Sequence, residues 1–185
     1  WNFYRQGDQN VLYWHWSRNH GWEMDLKISG WNEGLIAYVL AASSPTKAID
    51  KVVYDEGWAN NGGMKNGKVY YEYVLPLGTD NGGPLFLSQY SFLGINPKGL
   101  TDAYANYEEQ TRNHALINYN YCVDNPRDYA GYGENCWGLT ASDGDNGYSA
   151  HSPNNDNGVI APTAALTSFP FTPEESMKAL HFFYY

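Results

Sequence analysis

A mainly helical fold with long loops and one minor β-hairpin is what this sequence predicts, on three observations. Trp31, Leu35, Ile36, Val39 and Leu40 recur at the spacing of one helical stripe. The run from 102 to 123, DAYANYEEQTRNHALINYNYCV, is long enough for a helix, with Asp102 to cap it and Asn125-Pro126 to stop it. The chain closes on TPEESMKALHFFYY, which places Thr172 as N-cap, Pro173 at the first helical position and Glu174 and Glu175 on the positive helix end.

In chain order, residues 1 to 30 mix aromatics with charges without a helical period, and are expected as loop or short extended structure. The helix from Trp31 ends at Ser43-Ser44-Pro45, because the residue before proline resists the helical region. A second helix is expected from Thr46, with Ile49, Val52 and Val53 inward. NNGGMKNG at 60 to 67 is a turn, and KVYYEYVLPLG behind it reads as a hairpin near 68 to 76, ended by Pro76. A short apolar helix, about 84 to 93, follows between glycine-rich joints. His114 falls on a face of the long helix. The stretch 126 to 160 is dense in Gly, Asn, Asp and Ser and too long for an ordinary connection. Its embedded Tyr and Trp mark it as ordered and functional. With no repeat and no linker, the chain is expected to be a single domain over 1 to 185. It opens on Trp1 rather than Met, which suggests a piece of a longer chain, and no run approaches membrane-spanning length.

Composition narrows the function. Aromatics make up 17% of the residues, with seven Trp and seventeen Tyr. A flat apolar ring with a polar edge suits a ligand that is both stackable and hydroxylated, as a sugar is. Eleven Lys and Arg against twenty Asp and Glu leave a formal charge of −9, which repels nucleic acid and disfavours polyuronates. A neutral ligand fits best. The two cysteines, Cys122 and Cys136, lack paired CxxC spacing for metal; buried free thiols are favoured over a disulfide.

Two stretches carry candidate chemistry. ISGWNEGLI at 28 to 36 sets Glu33 at a helix threshold, in the first turn, where it either complements the dipole or is a proton donor at a cleft mouth. YGENCWGLTASD at 132 to 143 packs Glu134 and Asp143 among sugar-binding residue types. Glycosidases usually need two carboxyls across the scissile bond. The Asp143-Gly144-Asp145-Asn146-Gly147 run lacks the distal Glu of a calcium loop and reads as an Asx turn. There is no GxSxG elbow, phosphate-binding glycine loop or HExxH.

Nine blocks now stand in order: WHWS (14 to 17), GWNEGLIAYVLAASSP (30 to 45), LPLG (75 to 78), GGPLF (82 to 86), YSFLG (90 to 94), YGENCWGLTASD (132 to 143), GYSAHSP (147 to 153), IAPTAALTSFP (160 to 170) and PEESMKAL (173 to 180). Together they resemble the bacterial glycoamylase-like family, which includes endo-β-1,2-glucanases of glycoside hydrolase family 144. The resemblance implies an (α/α)6 toroid, of which a chain this short is about half. It implies hydrolysis of a neutral glucan or gluco-oligosaccharide, β-1,2-linked and with inversion. It also implies Glu33 as general acid and Glu134 and Asp143 as base or substrate-binding candidates. Trp14, His15, Trp31, Asn32, Tyr132, Asn135, Trp137, Tyr148 and His151 are the candidate substrate-binding residues. Loop 130 to 160 is expected to share a cleft with Glu33. No cofactor or metal is expected, no nucleic-acid or membrane partner, and a periplasmic or extracellular location. Two other classes compete: a non-catalytic glycan-binding module, and a polysaccharide lyase, which the acidic charge disfavours.

Overall fold

In the computed structural model, which describes residues 1 to 185, the chain divides into two units, Trp1–Lys65 and Asn66–Tyr185. In the first, β1 (Leu12–Tyr13) pairs antiparallel with β2 (Lys27–Ile28), Leu12 opposite Ile28, and α1 (Leu35–Ala42) follows. Tyr38 ties them together. Its fully buried hydroxyl donates to Ile28 O at 2.8 Å and accepts from Leu12 N–H at 2.9 Å. Burial pushes its pKa up to about 12, against the lowering effect of the Leu12 bond. The helix expected from Thr46 is a single π-helical turn, Val53–Trp58, preceded by one short helical step. Its would-be start is spent elsewhere: Ile49 N–H bonds the Ala41 carbonyl, one of the groups left open at the end of α1. Val53 is buried as expected and Val52 is exposed.

The second unit begins with the hairpin β3 (Lys65–Tyr70) and β4 (Tyr73–Leu77), close to where it was expected. Its turn residues Tyr71 and Glu72 both have positive φ, 47° and 70°, the handedness that matches strand twist. Pro76 lies inside β4 rather than ending it, as a strand edge permits. The apolar stretch 84 to 93 is two short 3₁₀ turns, Leu85–Ser88 and Ser91–Leu93, not one helix. The N–H groups of Leu85 and Phe86 are bonded to Leu139 O and Thr140 Oγ1. The long helix α2 runs Tyr107–Asp124 and starts later than Asp102. Asp102 Oδ1 accepts from Tyr104 N and Ala105 N, an Asx turn, and Asn106 caps the helix through Glu108 N and Glu109 N. It ends at left-handed Asn125, before Pro126 as expected.

The stretch 126 to 160 is ordered, with a hairpin that was not expected: β5 (Ala141–Gly144) and β6 (Gly147–Ala150). Helices α3 (Pro162–Thr167) and α4 (Pro173–Tyr184) pack together through small buried residues including Ala164, Ala165 and Ala179. Thr172 precedes α4 as expected, yet its hydroxyl bonds Ser168 O and Ser176 Oγ instead of capping. Regular structure is mostly helix, with three two-stranded sheets. Both cysteines are free. Cys122 is buried, with a thiol pushed up to about 12 mainly by desolvation, whereas Cys136 is half-buried rather than buried.

α2 carries a buried polar array. Gln110 spans the backbone of Leu77, accepting its N–H at 2.8 Å and donating to its carbonyl at 3.4 Å. Asn118 does the same for Leu139, at 2.9 and 3.2 Å. Asn113 Nδ2 donates to Val74 O at 2.8 Å. His114, fully buried, donates from Nε2 to Gly83 O at 3.1 Å, so Nδ1 accepts the Ser88 hydroxyl at 2.7 Å. Gly82 is obligatory beneath that ring, since a Cβ there would lie 2.1 Å from His114 Cδ2.

Three measurements test this helix. Gln110→Leu strands both Leu77 backbone groups in a buried site and should cost about 2 kcal/mol or more in denaturant unfolding. Asn120→Ala, which removes one half-buried bond to Leu116 O within α2, should cost about 1 kcal/mol or less. Desolvation holds His114 down at about 4, against an ordinary 6.5, despite the Gly83 bond. The unfolded chain therefore binds more protons between those values. Its contribution is intact above pH 6.5 and is lost as pH falls to about 4. Over that interval the wild type should lose about 3 kcal/mol more than His114→Asn, measured by urea unfolding at stepped pH.

Candidate functional site

Glu33 sits in a turn held by its neighbours. Gly30, at φ 79°, donates its N–H to Trp58 O at 2.8 Å, and Ser29 Oγ donates to Gly57 O at 2.6 Å. Asn32 clasps the turn: Nδ2 donates to the carbonyls of Ser29 and Gly30, and Oδ1 accepts Gly34 N–H at 2.7 Å. Gly34 leaves room for this clasp, because a Cβ would lie 2.5 Å from Ile28 Cγ2 and 2.8 Å from Asn32 Oδ1. The helix begins at Leu35 with Gly34 as N-cap, so Glu33 precedes the cap and is not in the first helical turn. The dipole expected to act on it there is correspondingly weaker. The carboxyl-bearing residue is half-buried, on a backbone fixed at both sides.

The other candidates of the first unit divide by burial. Trp31 is a core ring, edge-on to Trp58 at 6.1 Å, and does not present a face to solvent. Trp14 and His15, just after β1, are exposed, with Trp14 N–H bonded to Leu26 O at 2.8 Å.

In the second unit, Glu134 and Asn135 occupy a tight turn closed by reciprocal backbone bonds between Gly133 and Cys136, each 3.1 Å. Both side chains are exposed, and Glu134 accepts from Lys178 Nζ at 3.1 Å, which raises the Lys178 pKa. Trp137 is fully buried: Nε1 donates to Glu175 O at 3.3 Å and the ring packs edge-on to Tyr119, so it is core rather than a sugar platform. On the β5–β6 hairpin, Asp143 is paired with Tyr148, so the two side chains share a face, and both are exposed. Tyr148 and His151 line one cavity of about 300 Å³. Glu33 belongs to one unit, and Glu134 and Asp143 to the other.

Asp156 was missed in the sequence. It is buried, and its carboxylate accepts from Tyr132 Oη at 2.7 Å, Tyr121 Oη at 3.0 Å and Gly158 N–H at 3.0 Å. Tyr129 Oη adds a bond to its backbone carbonyl at 3.2 Å. Burial, then the adjacent carboxylate, pushes Tyr121 up to about 12, and burial and the Asp156 bond raise Tyr132 as well. Tyr132 is thereby a loop fastener. The signal available was the NNDNG run at 154 to 158, which resembles any polar turn. No group of three or more His, Cys, Asp or Glu side chains is placed to hold a metal ion, and no helix is long and apolar enough to cross a membrane.

Residues 25–185 match a glycoamylase family model described as "Putative glucoamylase". An exo β-1,2-glucooligosaccharide sophorohydrolase (non-reducing end) from Parabacteroides distasonis is 45% identical over 204 residues, covering 100% of this chain and 28% of its own. The solved structure of an endo-β-1,2-glucanase from Chitinophaga pinensis, in complex with sophorotriose and glucose, is 51% identical with a TM-score of 0.94 over 99% of this chain and 45% of that one. A Bacteroides uniformis structure described in the family's own words is 59% identical, with a TM-score of 0.94 over 100% of this chain and 45% of that one. The chain spans less than half the length of each relative.

The Asp156 knot yields a test. Asp156→Ala leaves the Tyr121 and Tyr132 hydroxyls without their charged acceptor and should lower stability by about 2 kcal/mol or more. Limited proteolysis should then cut first between residues 129 and 158, the segment those bonds close.

Proposed function

The chain belongs to the glycoamylase family, and on that premise we propose that the protein carrying it is a glycoside hydrolase acting on a β-1,2-linked glucan or its oligosaccharides. The observation that carries the reading is identity of 45% and 51%, over 100% and 99% of this chain, to an exo-acting sophorohydrolase and an endo-β-1,2-glucanase. Those two relatives differ in exo and endo action, so the proposal stops at the linkage. The acidic, aromatic-rich composition is in keeping with a neutral sugar polymer. The proposal includes a larger (α/α)6 toroid of which this chain is about half, and a periplasmic or extracellular setting.

Within this reading Glu33 is the general acid. Support comes from its turn: a half-buried carboxyl on a backbone fixed by Asn32, Gly30 and Gly34 can be aimed at a leaving-group oxygen with little reorganisation. Glu134 and Asp143 are the weaker candidates. Both are exposed, and Glu134 is already paired with Lys178. They serve as substrate contacts or as the base, which in an inverting enzyme stands across the bond with room for a water. Proton donation to the glycosidic oxygen then coincides with attack of that water on the anomeric carbon.

The deciding measurement is product analysis of the intact protein on a panel of neutral glucans, with the anomer of the new reducing end followed by NMR. Release of β-1,2-linked products is expected, while an unsaturated product identifies a lyase and binding without turnover identifies a glycan-binding module. Glu33→Gln should lower turnover at least about 100-fold while leaving glucan binding nearly unchanged. Full activity in a folded Glu33→Gln protein removes Glu33 from the mechanism.

A further inference from the structure

We propose that Ser29 is a positioning residue for Glu33, fastening the turn that carries this acid to the end of the π-helical segment Val53–Trp58, a role that rests on the reading of Glu33 as general acid.

Two kinds of hydrogen bond act on the Glu33 turn, and their effects differ. The partners of Asn32 are Ser29 O, Gly30 O and Gly34 N–H, all within the turn itself. Asn32 therefore fixes the shape of the turn and leaves its place undetermined. Place comes from bonds that leave the turn. Ser29 Oγ donates to Gly57 O at 2.6 Å, and Gly30 N–H donates to Trp58 O at 2.8 Å. Consecutive donors thus meet consecutive carbonyls, an attachment that resists rotation as well as translation. Trp31 adds a ring contact with Trp58, edge-on at 6.1 Å.

The π segment is built to receive those donors. Its N–H groups reach five residues back, as Ala59 N–H does to Tyr54 O at 2.9 Å. Carbonyls at the end of a helical segment have no partner within it, and here those of Gly57 and Trp58 take Ser29 and Gly30. Gly57 sets how closely the segment approaches. A Cβ there would lie 2.6 Å from Asn10 O, 2.7 Å from Tyr38 Oη and 2.9 Å from Val11 Cα. Two of those atoms are backbone, and Tyr38 Oη is held by Ile28 O and Leu12 N–H. Asn10 Nδ2 donates to Glu56 Oε2 at 3.0 Å, which braces the same segment against the chain before β1. Ile28, Ser29 and Gly30 are consequently referred to one junction, where Tyr38 meets Gly57, and Glu33 follows directly from it.

A proton donor must stand within about 0.5 Å of its productive geometry, and misplacement by about 1 Å can cost on the order of 100-fold in rate. One bond among several that place the turn commands part of that factor. Ser29 is an exposed residue, so loss of its Oγ opens no cavity and separates placement from stability.

The test uses the intact protein on β-1,2-glucan. Ser29→Ala should lower kcat about tenfold, with KM within about twofold of wild type and the melting temperature unchanged. Ser29→Thr keeps the hydroxyl and should restore kcat to within about twofold. In a Glu33→Gln background Ser29→Ala should lower the residual rate no further, because a residue acting through Glu33 has nothing left to act through. A loss that adds in full to Glu33→Gln, or that Ser29→Thr does not restore, overturns the proposal. So does a raised KM at unchanged kcat, which makes Ser29 a substrate contact. A second readout needs no turnover. With ¹³C-labelled glutamate, the Glu33 carboxyl signal, assigned by its absence in Glu33→Gln, should shift in Ser29→Ala and return in Ser29→Thr. A Glu33 signal that depends on Ser29 in a protein that hydrolyses no glucan overturns the hydrolase reading alone. Hydrolysis that requires Glu33, with signal and kcat both indifferent to Ser29→Ala, overturns the positioning role alone.

Discussion

Satisfying the backbone of an irregular chain is the constraint on which the second unit depends. Its strands are short and its connections long, so many peptide groups lie buried without a neighbouring strand or helical turn to receive them. α2 supplies the partners. Gln110 and Asn118 each present a side-chain amide that imitates a neighbouring peptide, one to Leu77 and the other to Leu139. Asn113 and His114 do the same for Val74 and Gly83 with single bonds. The Leu139 carbonyl also receives Leu85 N–H, so the hairpin β3–β4, the 3₁₀ segment and the segment before β5 are referred to one helix. A helix that is buried on most of its circumference and yet polar in composition is explained by that duty.

This arrangement accounts for what was legible in the sequence and what was not. Local chemistry carried far: Pro173 and its two following glutamates placed α4, and the run KVYYEYVLPLG behind a glycine-rich turn placed a hairpin. The start of α2 was displaced because Asp102 and Asn106 are both competent caps, and only the nearby chain decides that Asp102 makes an Asx turn. The stretches from Thr46 and Leu85 read as helices, but Ile49 N–H is bonded to the Ala41 carbonyl behind it, and the N–H groups of Leu85 and Phe86 to Leu139 and Thr140, far along the chain. Non-local hydrogen bonds leave no periodicity to read. The same holds for Asp156, one acid in a polar run, whose two tyrosine donors lie 24 and 35 residues upstream.

The aromatic excess had two uses, and composition alone could not apportion them. Trp31, Trp58 and Trp137 fill cores, while Trp14 and Tyr148 keep exposed rings. In the turn at 28 to 36 the polar residues are divided in a comparable way. Asn32 is committed to three backbone groups and Glu33 is carried beyond the helix cap. Rigid backbone around a carboxyl is what positioning of a proton donor demands. The sequence marked the motif, and the hydrogen bonds separate its scaffold from its candidate chemistry.

The carboxamides of α2 have a consequence for how this chain can drift over evolutionary time. Their partners are peptide groups, and a peptide group is the same whatever side chain it bears. Substitutions at the residues whose backbone they bond are limited by packing alone, and the hydrogen bonds pass unchanged through any change of side chain there. Gln110, Asn113 and Asn118 have no such latitude, since an exchange at any of them cannot be compensated by a second substitution opposite. Variation in this unit is therefore expected to be lopsided: free along the irregular segments, and nearly frozen along the polar side of the helix that serves them.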